Sequence, residues 1–231
     1  MMKEGRFLAS KNESIKLLET AGLLNEKETP NYRDLDVSSI RGKNHRETYE
    51  YVFRNRFYDV LLKDMSIIQY RNDTQEESYS FIPSPDSIPP IEDFLAETIG
   101  AEFYELDDIE RDEFIEQSKP DYMMYIETIA QPNDSLYIRY DKHLEGYREG
   151  HHPAAHIHIG FNSPVRIGLD RLQTPMSFTL FVLRHIFTGE WKKLLEDDEL
   201  VEKFSRSVRH QLEIIQGEFF NQKDACELYL K

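Results

Sequence analysis

The sequence predicts an α+β fold, with an antiparallel sheet of roughly five to six strands and helices packed mainly on one face. Three observations lead there. Apolar residues recur every three or four positions near both ends of the chain. Its centre instead alternates apolar and polar residues with a period of two. Short polar turns separate the alternating runs. The 231 residues are read as one domain, with a helical N-terminal part (1–62), a sheet region (63–170) carrying an acidic helical insertion at 91–117, and C-terminal helices (174–231).

Within residues 1–30, Ser10 and Glu13 have the spacing of a capping box. Ile15, Leu18 and Leu23 form an apolar stripe, and Gly22 and Pro30 end it. Residues 31–44 are polar and read as irregular. A second helix is expected from Arg46 to Leu62, with Tyr49, Val52, Phe53, Phe57, Val60 and Leu61 near one side. "SIIQY" (66–70) and "SYSFI" (78–82) read as strands joined by a polar turn. "PSPDSIPP" (83–90) breaks regular structure, because proline cannot donate to a ladder. Short acidic helices follow at 91–98 and 107–117. Four further strands are expected: "DYMMYIETIA" (121–130), "SLYIRYD" (135–141), "AAHIHIG" (154–160) and "VRIGL" (165–169). "TPMSFTLFVLRHIF" (174–187) reads as a helix with Thr174 as N-cap and Pro175 in the first turn. A last helix is expected from Asp198 to Phe219.

Composition narrows the function classes. The net charge is −15 and the pI about 5.0, which opposes non-specific attraction to phosphate backbones but not an enzyme with a locally positive cleft. Acid is concentrated between Glu92 and Glu116, where Arg111 is the only base. This is either a solvated face or a docking surface for a basic protein partner. Cys226 is the only cysteine, no apolar run is long enough to cross a bilayer, and no apolar signal segment stands near the N-terminus. A cytoplasmic protein without membrane association is expected.

The chemistry concentrates in "HHPAAHIHIGF" (151–161), which holds four of the 8 histidines. Side chains alternate faces along a strand, and neighbouring strands turn their apolar sets to one core. That reasoning puts Tyr125, Glu127, Arg139, Asp141, His156, His158 and Arg166 on one sheet face. The loop 142–153 is expected to bring His143, His151 and His152 over it. Two chemistries fit. His156 and His158 could ligate a divalent metal such as zinc or manganese, with Asp141 or His152 completing a site open to water. Alternatively, the histidines act as metal-free acid and base, with Arg139 and Arg166 stabilising phosphorane charge. Against both stands a purely structural polar face, with Arg139 and Asp141 as a plain ion pair. His45, His185 and His210 read as surface or packing residues. No glycine-rich phosphate loop is present.

The motifs "LLKDMSIIQY" (61–70), "FIPSP" (81–85), "YIRYD" (137–141), "HHPAAHIHIG" (151–160), "VRI" (165–167) and "TPMSFTLFVLRHIF", in this order, resemble the bacterial domain-of-unknown-function family 2290. That family carries no assigned activity. The resemblance implies that His152, Pro153, His156, His158 and Arg166 act as one unit. A second likeness, of Arg139, Asp141, His156 and His158 to a toxin family of toxin–antitoxin pairs, points to phosphodiester cleavage. The resulting expectation is a histidine-centred phosphodiesterase acting on a nucleic acid or nucleotide, in a toxin or phage-defence setting. His156, His158, Asp141, Arg139 and Arg166 are its catalytic set, and His156, His158 and His152 its metal set. The rival expectation is a non-catalytic acidic protein that binds a partner through residues 92–116.

Overall fold

The computed structural model of the protein describes every residue except 1, 36–39, 41, 74–75, 88, 130, 133–135, 210–211, 227–228 and 231. Its centre is an α+β assembly around one eight-stranded sheet.

Helix α1 (Glu4–Thr20) starts earlier than the Ser10–Glu13 spacing suggests. Ser10 is not a cap. It is buried in mid-helix, where its small side chain lets the first turn of a later helix approach, and its Oγ accepts from Met176 N at 3.0 Å. Gly22, at φ +71, turns the chain into β1 (Leu24–Lys27). A capping box does open α2 (His45–Arg54), formed by Asn44 and Glu47. This helix stops at Arg54 rather than Leu62. Arg56 takes φ +54, and Val60–Leu62 become strand β2, buried at every position. A tight turn leads to β3 (Ile67–Asn72), which pairs with β4 (Glu77–Ile82).

Between β4 and its next neighbour the chain makes a long excursion. β5 (Asp86–Ser87) forms a small ribbon with β6 (Gln131–Pro132), and between them run α3 (Ile91–Ile99) and α4 (Asp108–Ile129). "DYMMYIETIA" is therefore the end of α4, not a strand, and neither Tyr125 nor Glu127 lies on the sheet. The reason is physical: Tyr122, Tyr125 and Ile126 also satisfy a helical repeat, and both tyrosine rings pack on Phe94 of α3. The slot beside β4 goes instead to β7 (Ile138–Lys142).

β8 (Ala155–Ile159) and β9 (Ile167–Leu169) extend the antiparallel ladder, and β10 (Tyr229–Leu230) adds to β9 in parallel. The order is β1-β2-β3-β4-β7-β8-β9-β10, more strands than the five to six expected. Helix α5 (Pro175–His185) has the predicted Thr174 cap, which accepts from Ser177 N. α6 (Thr188–Leu194), α7 (Asp198–Arg209) and α8 (Gln222–Cys226) follow. The expected helix through Phe219 thus ends at Arg209. Leu212 and Ile215 are buried in irregular chain, held by the bridge between Arg171 and Ile214. His210 lies outside the described residues. No described helix is long and apolar enough to cross a membrane.

One sheet face carries the main core. Ile68, Tyr70, Tyr79, Phe81, Ile138, Tyr140, Ala155 and Ile157 pack there against Leu17 and Leu18 of α1 and Phe178 and Val182 of α5. The buried tyrosine hydroxyls find partners: Tyr70 Oη meets Thr179 Oγ1 at 2.5 Å, and Tyr140 Oη accepts from Gln173 N. Lys142 and Glu77 pair at 2.8 Å at the edge of this core, both nearly without solvent contact. On the opposite face, α2 covers only the β2–β4 end, where Tyr49 and Val52 meet Leu61, Ile67 and Ile82. The middle of that face stays uncovered by helix, and the candidate residues Arg139, Asp141, His156 and His158 stand there.

Candidate functional site

Strand register builds the site as two rows across the sheet. One row runs Arg71, Ser78, Asp141, His156 and Gly168. The other runs Gln69, Ser80, Arg139 and His158. The alternation of Arg139 with Asp141, and of His156 with His158, puts all four on the helix-poor face. The antiparallel pairing of β7 with β8 sets Asp141 opposite His156 and Arg139 opposite His158. Pro153 packs over Gly168, where a Cβ would lie 3.3 Å from its ring, so the absence of a side chain lets the 151–154 turn close onto the sheet.

At the centre, His156 Nε2 and His158 Nε2 stand 3.0 Å apart. Asp141 Oδ2 lies 3.4 Å from His158 Nε2 and 4.0 Å from His156 Nε2. Ser78 Oγ donates to Asp141 Oδ1 at 2.8 Å, and Arg139 Nε to Oδ2 at 2.8 Å. His156 Nδ1 lies 3.0 Å from the Pro153 carbonyl. A carbonyl only accepts, so Nδ1 bears the proton and Nε2 presents its lone pair to the centre.

The charge states follow from these contacts. Burial acts to raise the Asp141 carboxyl, but the His158 and Ser78 hydrogen bonds and the Arg139 guanidinium outweigh it and bring it down to about 2. Burial, reinforced by His158, lowers His156 to about 4 against the support of Asp141. Near neutral pH the centre therefore holds a carboxylate and a neutral His156 imidazole.

Asp141, His156 and His158 form the one group of metal-capable ligands found among the described residues. A point equidistant from three atoms with these separations lies about 2.1 Å from each, the length of zinc–nitrogen and zinc–oxygen bonds. The His156–Pro153 contact is the kind of outer hydrogen bond that fixes the tautomer of a metal-ligating histidine. His152 is not in this group. Its ring stands edge-on to His156 with centroids 5.1 Å apart, and its buried Nδ1 has no hydrogen-bond partner among the described residues. Asp141, and not His152, thus completes the group that could hold a metal ion.

The centre opens into a cleft of about 350 Å³. His143 and His152 from the 142–153 loop line it, as expected, together with Arg166, which precedes β9 and is exposed. His151 is exposed and does not line the cleft. The structure adds residues that the histidine motif does not reveal. Arg71, Gln69, Ser78 and Ser80 come from β3 and β4, and Thr48 and Val52 from α2. Neither Arg71 nor Arg166 has an ion-pair partner among the described residues. Arg71 instead lies over the Tyr32 ring at 5.9 Å. His45 lies tilted against Phe161 and His185 against Phe181, and neither lines the cleft.

A family model described as "Uncharacterized conserved protein (DUF2290)" matches residues 12–223. The chain belongs to that family. All the residues of the centre and cleft named above fall within the DUF2290 span. No curated protein and no solved structure matches the chain.

Proposed function

We propose that this DUF2290 protein is a metal-dependent phosphodiester hydrolase acting on a nucleic acid or nucleotide. The carrying observation is the donor triangle of Asp141, His156 and His158, sized for a divalent ion, with Asp141 a carboxylate and His156 a neutral imidazole near neutral pH. Asp141, His156 and His158 would hold a zinc or manganese ion, which would supply a hydroxide nucleophile near neutral pH. Hydroxide adds to phosphorus, the P–O bond to the leaving alcohol breaks, and a proton returns to that oxygen. Arg166 and Arg71 are the cations available to the phosphate, since Arg139 already serves Asp141.

The acidic balance is compatible with such a substrate. Residues 91–129 hold 13 acidic and 2 basic side chains, a net −11 of the chain's −15, so the rest of the protein is close to neutral. The test is hydrolysis of bis(p-nitrophenyl) phosphate by untagged protein. Activity restored by zinc or manganese after chelation, and absent in His156→Ala/His158→Ala, is the expected result. Unchanged activity in chelator removes the metal from the reading.

That same charge concentration favours a second reading, in which the α3–α4 excursion holds a basic protein partner. Capture of the partner would then survive His156→Ala/His158→Ala and be lost when the acids at 92–116 are neutralised.

A further inference from the structure

We infer that the end of the cleft beneath α2 is a subsite for a flat, hydrogen-bonding ring attached to the phosphate, that is, a nucleobase. The inference rests on the hydrolase reading and names its substrate class.

Three polar side chains there are more than nine-tenths buried, and one of them has nothing to bond. The Thr48 hydroxyl has no hydrogen-bond partner among the described residues. Gln69 Nε2 donates to Phe57 O at 2.5 Å, which fixes the amide, and no group among the described residues donates to its Oε1. Ser80 is buried beside them, and all three residues line the cleft. A buried hydroxyl left unpaired, as at Thr48, is costly and calls for an occupant that satisfies it.

Around these groups the walls are apolar. Val52 and Ile82 are almost fully buried, and Tyr137 adds an aromatic edge. Apolar walls with a few convergent donors and acceptors suit a nucleobase better than a sugar or a plain phosphate.

The spacing agrees. Gln69, Ser80, Arg139 and His158 occupy successive strands of one row, so Gln69 stands about 10 Å from Arg139 and about 14 Å from His158. That is the reach of a nucleoside monophosphate with its phosphate at the metal centre and its base over β3 and β4. The serines at 78 and 80 supply the low floor between them. A cleft of about 350 Å³ takes one nucleotide, not a duplex.

The test is calorimetric titration of the full chain with AMP, GMP, CMP and UMP, and with ribose 5-phosphate as the probe that lacks a base. Titrations in chelator exclude metal and turnover, so failure of the hydrolase reading and failure of the base subsite are separable. At least one nucleotide should bind about tenfold more tightly than ribose 5-phosphate. Thr48→Val and Gln69→Met should each remove most of that advantage. Thr48→Val should melt no lower than wild type, because the hydroxyl it deletes is unpartnered; Ser80→Ala is the second variant should Thr48→Val fail to fold. Equal binding of all five probes, or a base preference untouched by the variants, overturns the inference. A parallel titration with short single-stranded RNA identifies the source of the base: tighter binding than the mononucleotide marks a strand, equal binding a free nucleotide.

Discussion

His156 makes the protein acid-labile in a window that can be calculated. Its folded pKa of about 4 lies below the ordinary value of 6.5, because the ring is buried beside His158. Between those values the unfolded chain binds the proton and the folded chain does not, so acid favours unfolding. The contribution is complete above about pH 6.5 and is lost as pH falls toward 4. From pH 7.5 to 4.5 it amounts to about 2.5 kcal/mol at about 1.4 kcal/mol per pKa unit. Asp141, held at about 2, is lowered too, but its contribution disappears only below about pH 4, outside this window. The assay is urea unfolding in chelator at both pH values, for wild type and His156→Asn, whose amide nitrogen can still donate to the Pro153 carbonyl. Other titrating groups act on both proteins alike. Wild type should lose about 2–3 kcal/mol more than the variant on acidification. Equal losses would refute the buried, neutral state of His156 on which the ligand argument depends.

Further outcomes follow from single contacts. Lys142→Met leaves Glu77 buried without its cation and should cost about 3–5 kcal/mol, with much of the loss recovered in Lys142→Met/Glu77→Gln, both read by chemical denaturation. Gly168→Ala places a Cβ against Pro153, whose carbonyl holds His156, so metal affinity measured by competition with a chelating dye should fall about tenfold while the fold persists. Arg166→Ala, at an exposed position, should lower kcat/KM for a phosphodiester about tenfold and leave Tm unchanged.

The sequence made the heart of the site legible because strand alternation is a local property. Arg139, Asp141, His156 and His158 fall on one face whatever the register. Extended to "SIIQY" and "SYSFI", which read only as strands, the same rule separates Gln69 from Ile68 and Tyr70, and Ser78 and Ser80 from Tyr79 and Phe81. What it could not supply was that β4 neighbours β7, because 55 residues of excursion separate them and pairing across such a gap is non-local. Tyr125 and Glu127 were misplaced because their segment fits both repeats, and only contact with Phe94 selects the helix. The Ser10–Glu13 box failed for a similar reason. Ser10 contacts α5, more than 160 residues away, and burial there outweighs its preference for a helix start. Alternation left Asp141 and His152 both open as a third member, and it took the pairing of β7 with β8 to group Asp141 with the two histidines.

The most direct measurement is metal content by elemental mass spectrometry on untagged protein, beside Asp141→Asn, His156→Ala and His158→Ala. One zinc or manganese per chain, lost in each of the three variants and retained in His152→Ala, is the predicted result. Metal-free wild type after soaking in zinc and manganese, or metal that survives loss of any of the three ligands, would contradict the assignment of Asp141, His156 and His158 as a metal centre.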